Sequence, residues 1–412
     1  MAFAQRGVKN ILQKYPRDVV FLSALRTPVT RSYKGGLRNA YPEQMLAAAL
    51  RATLDKLPNL PPSNVQDVAV GTVLSDLGGS KAARMALNHV GFPSTTSLYT
   101  VNRACSSGLQ AITSIADAIA MGRISGGIGG GMESMTRHYG SKAVPVSLWP
   151  ALRDSPVKDA RDCIMSMGLT SENVTERYDI SRADQDTFAA ESHVRASRAQ
   201  REGRFDGEIV PVTVENPPVD GGNAEVETAT VTKDDGIRHE ASVTALAKLK
   251  PVFKPDGVST AGNSSPVSDG AAAAVMMRRS DAEAVGLKDA IIGKWVASRV
   301  VGVAPDEMGI GPAVAIPALL DAVGVGTDDI GVWEINEAFA SQSLYCIRTL
   351  GLDVDRVNPN GGAIALGHPL GATGARQLAT LLPELDRRGE QLGVISMCVG
   401  TGMGMASLIV RE

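Results

Sequence analysis

The chain has 412 residues, 44% of them apolar and 21% charged, close to the averages of soluble globular proteins, and at about 150 residues per domain that length suggests two or three domains. Lys plus Arg is 41 and Asp plus Glu is 44, a net charge of −3, so no overall field exists to hold nucleic acid or an anionic membrane. The four cysteines, Cys105, Cys163, Cys346 and Cys398, form no CxxC or Cys/His cluster, which argues for a reducing compartment and against a disulfide scaffold or structural zinc; no apolar run reaches the ~18 residues of a membrane span.

Met1 to Arg17 holds Arg6, Lys9, Lys14 and Arg17 with no acidic residue, and Val8 to Leu12 predicts an apolar helix face. This fits a mitochondrial presequence, a degenerate N-terminal peroxisomal signal around Arg6 to Lys14, or a plain basic first helix. Ala49 to Val73 (ALRATLDKLPNLPPSNVQDVAVGTV) then predicts an alanine-rich helix, a turn, an Asp and a buried strand, and Ala315 to Phe339 (AIPALLDAVGVGTDDIGVWEINEAF) repeats that order. Aligning Asp67 with Asp329 gives an offset of 262, which carries Cys105 to one residue short of His368. Strands alternating with helices imply βαβ units and parallel sheets, here in two halves stacked with their switch points facing one pocket.

Cys105 sits in Val101 to Ile112 (VNRACSSGLQAI), where a short apolar strand runs into a Ser-Ser-Gly turn and a helix-forming stretch. That predicts a sulfur at a helix N-terminus, where unpaired N–H groups and the helix dipole lower a thiol pKa toward the reactive thiolate. An isolated Cys is more often inert packing; the turn is what makes this one a candidate nucleophile.

Glycine, 43 residues in all, gathers in Gly126 to Met132 (GGIGGGM), Gly361 to Gly374 (GGAIALGHPLGATG) and Gly400 to Gly404 (GTGMG). Glycine where buried strands end serves a ligand site and helix-on-sheet packing equally well. From about Thr136 to Lys250 the chain is polar and irregular, with a helix-like stretch at Ser181 to Glu202 and a Pro/Gly/Asp segment at Asn216 to Gly222. It reads as an insertion covering a core built by the flanking segments.

Asn336 and Glu337 are predicted to end a strand in EINEAFA, and polar residues at a strand's carboxyl end suit a crevice site. His368, pinned between Gly367 and Pro369 with a helix start predicted near Gly374, is a candidate general base for a Cys distant in sequence. A satisfied core histidine is the alternative. Cys398 follows the apolar Gly393 to Ser396 strand, in a predicted loop with room for N–H groups aimed at an oxyanion. The 14 methionines read as core or pocket lining.

Taken together these blocks resemble the thiolase family: NRACSSGLQAI around Cys105, TAGNSSPVSDGAA from Thr260, NEAFA from Asn336, GGAIALGHPLGATGAR from Gly361 and CVGTGMG from Cys398, in the family's order. The likeness runs from about Arg17 to the C-terminus. DQDTFAAES at Asp184 and SMGLTSENV at Ser166 make it most similar to the degradative 3-ketoacyl-CoA thiolases of the peroxisomal type.

The resemblance implies two similar βαβαβαββ halves stacked in layers (α-β-α-β-α) with an inserted loop domain. It divides the chain into an N-terminal extension or targeting segment (1–16), one half (17–135 with 251–285), the insert (136–250) and a second half (286–412). It implies that Cys105, activated by His368, attacks the 3-keto carbon of a 3-ketoacyl-CoA and keeps the shortened acyl group as a thioester. Cys398 would protonate the departing acetyl-CoA enolate and then deprotonate incoming CoA. His368 and a water held by Asn336 would meet the enolate oxygen, the N–H groups of Cys105 and Gly400 the tetrahedral oxyanion, and Ser265 the pantetheine arm of CoA.

No metal or organic cofactor is implied, since CoA and acyl-CoA are substrates. The implied setting is a homodimer or homotetramer in the peroxisome, although the C-terminal Val-Arg-Glu is not an SKL-type signal. Ser166 stands where acetoacetyl-type members often carry His, which favours longer 3-ketoacyl chains. The rival readings are a biosynthetic acetoacetyl-CoA thiolase running the condensation, a decarboxylating ketosynthase, which typically pairs its Cys with two His, and a thiolase-like carrier or scaffold, against which intact Cys105, His368 and Cys398 speak.

Overall fold

The chain runs twice through one order of elements. In a computed structural model that describes residues 6–139, 143–145, 147–216 and 227–412, the first pass comprises β1 (Val19–Arg26), α1 (Pro42–Lys56), β2 (Asp67–Gly71), α2 (Ser80–Val90), β3 (Ser97–Val101), α3 (Ser107–Ala120) and β4 (Gly126–Ser134). After α4 (Met167–Arg177) and α5 (Arg182–Arg201) it closes with β5 (Ser268–Arg278). The second pass comprises β6 (Gly293–Gly302), α6 (Gly311–Val323), β7 (Val332–Ile335), α7 (Ala340–Leu350), α8 (Leu370–Arg388), β8 (Leu392–Val399) and β9 (Met403–Arg411). Where β3 stands in the first pass, the second has only the bridge between Trp333 and Val357.

Each pass builds the same sheet. In the first, β2 lies parallel between β3 and β4, and β5 lies antiparallel between β4 and β1. In the second, β7 is parallel to β8, and β9 lies antiparallel between β8 and β6. The halves join where Val19 to Phe21 of β1 pair antiparallel with Gly293 to Trp295 of β6. One ten-stranded sheet, counting the short strand Thr30–Arg31, therefore runs through both.

Side chains alternate across a strand, and this sorts the core into layers. Val20 and Leu22 of β1 pack outward against Leu46 and Leu50 of α1 and Leu87 of α2. Val19 and Phe21 point inward to Ile112 and Ile115 of α3 and Leu378 and Leu382 of α8. From the other half Ile395 and Met397 of β8 face that same inner layer, while Val394 faces out to Ile316 and Leu319 of α6 and Ile347 of α7. The result is the five-layer α-β-α-β-α stack, with α3 and α8 in the middle; each fully buried Leu or Ile contributes about 1.5–3 kcal/mol.

The clustered glycines set how closely the middle helices cross. A Cβ on Gly108 would lie 2.6 Å from the Gly371 carbonyl oxygen, one on Gly374 would lie 2.5 Å from Leu109 N, and one on Gly131 of β4 would overlap the Gly371 carbonyl. Here glycine serves packing. This also corrects the predicted helix start: α8 begins at Leu370, directly behind Pro369, and Gly374 lies inside it as a contact point.

The repeat register shifts as well. The 3-10 turn Thr327–Asp329 before β7 corresponds to Pro62–Asn64 before β2, so Asp329 matches Asn64, and Asp67 is already the first residue of β2. Matching the helix starts Ser107 and Leu370 then brings Cys105 onto His368 itself.

Between β4 and β5, α5 is capped by Ser181, whose Oγ accepts from Asp184 N at 3.1 Å as an N-cap should. A hairpin of Val212–Asn216 with Glu227–Val231 follows; the predicted loop beyond Asn216, like residues 1–5, lies outside the described residues. Val8–Ile11 forms one helical turn, and Ile11 is buried in the outer core of the second half. No described helix is long and apolar enough to cross a membrane.

Candidate active site

The site forms where α3 and α8 begin, at the carboxyl ends of β2, β4, β7 and β8. Cys105, 8% exposed, lies two residues before α3. Its turn is held by local polar groups: Ala104 N donates to Asn102 Oδ1 at 2.9 Å, Arg103 N to Ser107 Oγ at 2.9 Å, and Ser107 Oγ to Ala104 O at 2.6 Å. Ala104, immediately before the cysteine, has φ 43, and Thr401, immediately after Gly400, has φ 71. Left-handed backbone costs a residue with a Cβ about 1–3 kcal/mol, and here it flanks the two amides, of Cys105 and Gly400, whose N–H groups face the Cys105 sulfur.

The thiol is not the lowered one that the helix start predicts. Burial pushes it up to about 11 against the pull of the Gly400 and Cys105 N–H groups, and the nearby Glu133 carboxylate adds to the rise. The helix end helps less than expected because α3 begins only at Ser107 and water is excluded from the sulfur.

His368 stands two residues before α8. Its Nδ1 is 2.7 Å from Thr373 Oγ1, one turn into that helix, and its Nε2 is 3.3 Å from Asn336 Nδ2. With the amide donating to Nε2, the imidazole proton sits on Nδ1 and goes to Thr373, and the Nε2 lone pair is held by Asn336 until that amide is displaced. Asn336 directly follows β7 and is fixed by its N–H donating to Ser396 O at 2.9 Å; its buried Oδ1 has no hydrogen-bond partner among the described residues. Burial and then the Arg376 charge lower the imidazole to about 3. The resting pair is a neutral thiol and a neutral imidazole.

Cys398 is the next-to-last residue of β8, inside the strand and not in the loop after it, and is fully buried. Burial holds its thiol far above the ordinary range, and nearby Cys105 and Cys346 push the same way. It packs with Met308, Ala338 and Phe339, and Met167 and Phe253 extend this apolar wall. Phe253 meets Phe339 edge-on with ring centroids 6.1 Å apart.

Ser265 joins the wall through Ala338, to whose carbonyl its N and Oγ donate at 3.0 and 3.1 Å. Ala340 N donates to Asn263 O at 2.9 Å, so the TAGNSS segment is zipped along NEAFA. Helices of the middle segment hold it there: Ser259 N donates to Glu172 of α4 at 2.9 Å, and Asn263 Nδ2 to Asp186 of α5 at 3.0 Å. Glu337 commits its carboxylate to Ser192 Oγ at 2.7 Å, Asn358 Nδ2 at 2.8 Å and Ile364 N at 3.2 Å, which makes it a structural hub beside Asn336.

The structure thus gathers Gly400 and Cys398 around Cys105, pairs His368 with Asn336, and sets Ser265 on the apolar wall. Sequence reasoning passes over Thr373 and Glu133. A signal existed for the second, an acidic residue in a strand buried along its whole length. Among the described residues no group of three or more His, Cys, Asp or Glu could hold a metal ion.

Residues 19–280 match the family described as "Thiolase, N-terminal domain" and residues 290–411 the one described as "Thiolase, C-terminal domain". "3-ketoacyl-CoA thiolase 2, peroxisomal" of Arabidopsis thaliana is 50% identical over 401 residues, 96% of this chain and 85% of that protein. Human "3-ketoacyl-CoA thiolase, peroxisomal" is 49% identical over 392 residues, 95% of this chain and 90% of that protein. The crystal structure of the dimeric peroxisomal thiolase of Saccharomyces cerevisiae matches with a TM-score of 0.89 at 40% identity, covering 98% of this chain and 100% of that one. A Bacillus anthracis acetyl-CoA acetyltransferase matches at 0.85 and 36%, covering 96% and 99%. Matched in both halves, and at half identity over nearly all its length, the chain belongs to the thiolase family.

Proposed function

We propose that this chain is a 3-ketoacyl-CoA thiolase of β-oxidation, cleaving 3-ketoacyl-CoA with CoA into acetyl-CoA and a shortened acyl-CoA in the peroxisome. The observation that carries this reading is that Cys105 and His368 each lie two residues before helices that cross at Gly108 and Gly371, with Cys398 near Cys105 and Asn336 on His368. Breaking a carbon–carbon bond beside a ketone needs a nucleophile, an acid for the carbanion and donors for two oxygens, and these groups supply all of them.

Because Cys105 and His368 rest neutral, the thiol proton moves to Nε2 as the sulfur attacks the 3-keto carbon, not beforehand. The tetrahedral oxyanion takes the N–H groups of Cys105 and Gly400. Its collapse breaks the bond between C2 and C3 and leaves the pair on C2 as the acetyl-CoA enolate. The imidazolium, with a water that donates to Asn336 Oδ1, meets the enolate oxygen, and Cys398 protonates the carbon. After acetyl-CoA leaves, the Cys398 thiolate takes the proton of incoming CoA, whose sulfur attacks the acyl-Cys105 thioester. Cys105 departs and recovers its proton from His368, so the cycle closes without an external acid or oxidant.

Met167, Phe253, Met308 and Phe339 would line the path of the acyl and pantetheine chains, with Ser265 at its rim. In this reading 17–135 with 251–285 and 286–412 are the two halves, and 136–250 is the insert that roofs the site. The protein is a homodimer. β3 is the last strand of the sheet, its outer edge unpaired among the described residues; it carries the exposed Tyr99, and Leu77 (88% exposed) and Met85 (70%) stand beside it. Such an edge needs cover, and a second copy supplies it.

CoA-dependent cleavage of short, medium and long 3-ketoacyl-CoA tests the reading. Acetyl-CoA release from the longer chains is the expected result. Activity confined to acetoacetyl-CoA and its formation would instead favour the biosynthetic reading, the activity named for the Bacillus structure.

A further inference from the structure

Glu133, at the end of β4, is fully buried, and the cycle above does not use it. Its Oε2 accepts from Val73 N at 2.9 Å and Gly371 N at 3.0 Å, and its Oε1 from Leu74 N at 3.1 Å and Thr72 Oγ1 at 3.4 Å. Four neutral donors thus hold one carboxylate. Two of its connections lead to the chemistry. On one side the Val73 carbonyl accepts from Asn102 Nδ2 at 3.3 Å, and Asn102 Oδ1 accepts from Ala104 N, the strained residue that precedes Cys105. On the other, Gly371 lies in the first turn of α8, three residues after His368.

We propose that Glu133 is a positioning residue for the thiolase reaction, a single carboxylate that crosses between the halves and holds the turn of Cys105 in register with the helix start behind His368. The inference rests on the thiolase reading. The glycines already described bring these backbones together, but van der Waals contact between glycines leaves them free to slide; a bonded carboxylate between Val73 and Gly371 does not. Burial raises the Glu133 carboxyl to about 7, so at mildly alkaline pH it is an anion, and it is one of the groups that push the Cys105 thiol up. Thr72 to Leu74 and Gly371 bring no titratable group to it. The nearby titratable groups are Cys105, His368 ahead of α8, and Asp269 of β5, which is taken up by Ser134 and Thr136.

Glu133→Gln keeps the shape but sets an amide N–H against one pair of N–H donors and removes the charge. Turnover of 3-ketoacyl-CoA should fall about 100-fold, as for a misplacement of about 1 Å. Alkylation of Cys105 by iodoacetamide at fixed mildly alkaline pH should become faster than in the parent, because losing a nearby like charge lowers the thiol pKa, while Cys346 and Cys398 stay protected. A loosened fold would expose all three. Turnover within about twofold of the parent, or labelling of Cys105 only in step with Cys346 and Cys398, would overturn the proposal. Should Glu133→Gln not fold, Asn102→Ala, at an exposed position, cuts the nucleophile branch alone; it should lose turnover roughly 10-fold or more with its melting temperature held, and parental turnover there refutes the link. A parent protein that cleaves no 3-ketoacyl-CoA refutes the functional reading instead, and the alkylation result stands apart from it.

Discussion

Cys105 and His368 occupy the same place in the two halves: each lies two residues before an inner-layer helix, α3 at Ser107 and α8 at Leu370. Those helices cross where Gly108 meets the Gly371 carbonyl, so duplication brings a thiol and an imidazole to one crossing from two segments far apart in sequence. Both helix N-termini direct their partial positive ends there, which suits a reaction that develops two oxyanions in turn.

The low pKa of His368 gives the protein an acid sensitivity with a definite sign. Burial lowers the folded value to about 3 from the ordinary 6.5, so between those values the unfolded chain binds a proton that the folded protein refuses. Stability contributed by this neutral imidazole is present above 6.5 and is lost as pH falls toward 3. His368→Asn does not titrate there. Its melting temperature should fall less than that of the parent on acidification below pH 6.5; an equal fall in both proteins would show that the imidazole is not held neutral.

Cys398→Ala removes a proton carrier and leaves Cys105, Gly400 and His368 in place. Turnover should drop by about 100-fold to 10,000-fold, the usual contribution of a general acid–base group, with Cys105 alkylation near the parental rate. Steady-state cleavage and mass-mapped labelling check the two parts. Retention of more than about a tenth of parental turnover would make Cys398 a packing residue.

Thr373 holds the imidazole ring in place by its 2.7 Å contact with Nδ1. Thr373→Val keeps the shape and loses the acceptor, and should cost at least about tenfold of the acid–base contribution with the KM for CoA little changed. Thr373→Ser restores the hydroxyl and should recover most of it. If Val and Ser variants behave alike, the hydroxyl is not what orients the base.

Leu77→Asp places a charge on the uncovered edge beside β3. The variant should elute as a monomer where the parent is a dimer, measured by light scattering behind size exclusion. A dimer that persists unchanged would put the interface elsewhere.

The turns that carry Cys105 and His368 are legible because each couples a chemical residue to a local backbone signal. The protonation state of Cys105 was not legible. A helix start is visible in Ser-Ser-Gly, whereas the desolvation that outweighs it comes from burial of the sulfur in the folded protein. Thr373 and Glu133 escaped for a related reason: their partners, His368 across a helix turn and Gly371 across the two halves, are set by tertiary packing. The helix start at Leu370 is hidden in the sequence because glycine reads as a breaker, while Gly371 and Gly374 are contact points between helices.

The most direct test of the account is to mix the protein with a 3-ketoacyl-CoA in the absence of free CoA, quench, digest and map the acyl group by mass spectrometry while counting acetyl-CoA released. The prediction is a shortened acyl thioester on Cys105 and acetyl-CoA equal in amount to the acylated sites. Acyl transfer to the more exposed Cys163 or to Cys346 or Cys398, or acetyl-CoA formed with no adduct on Cys105, would contradict it.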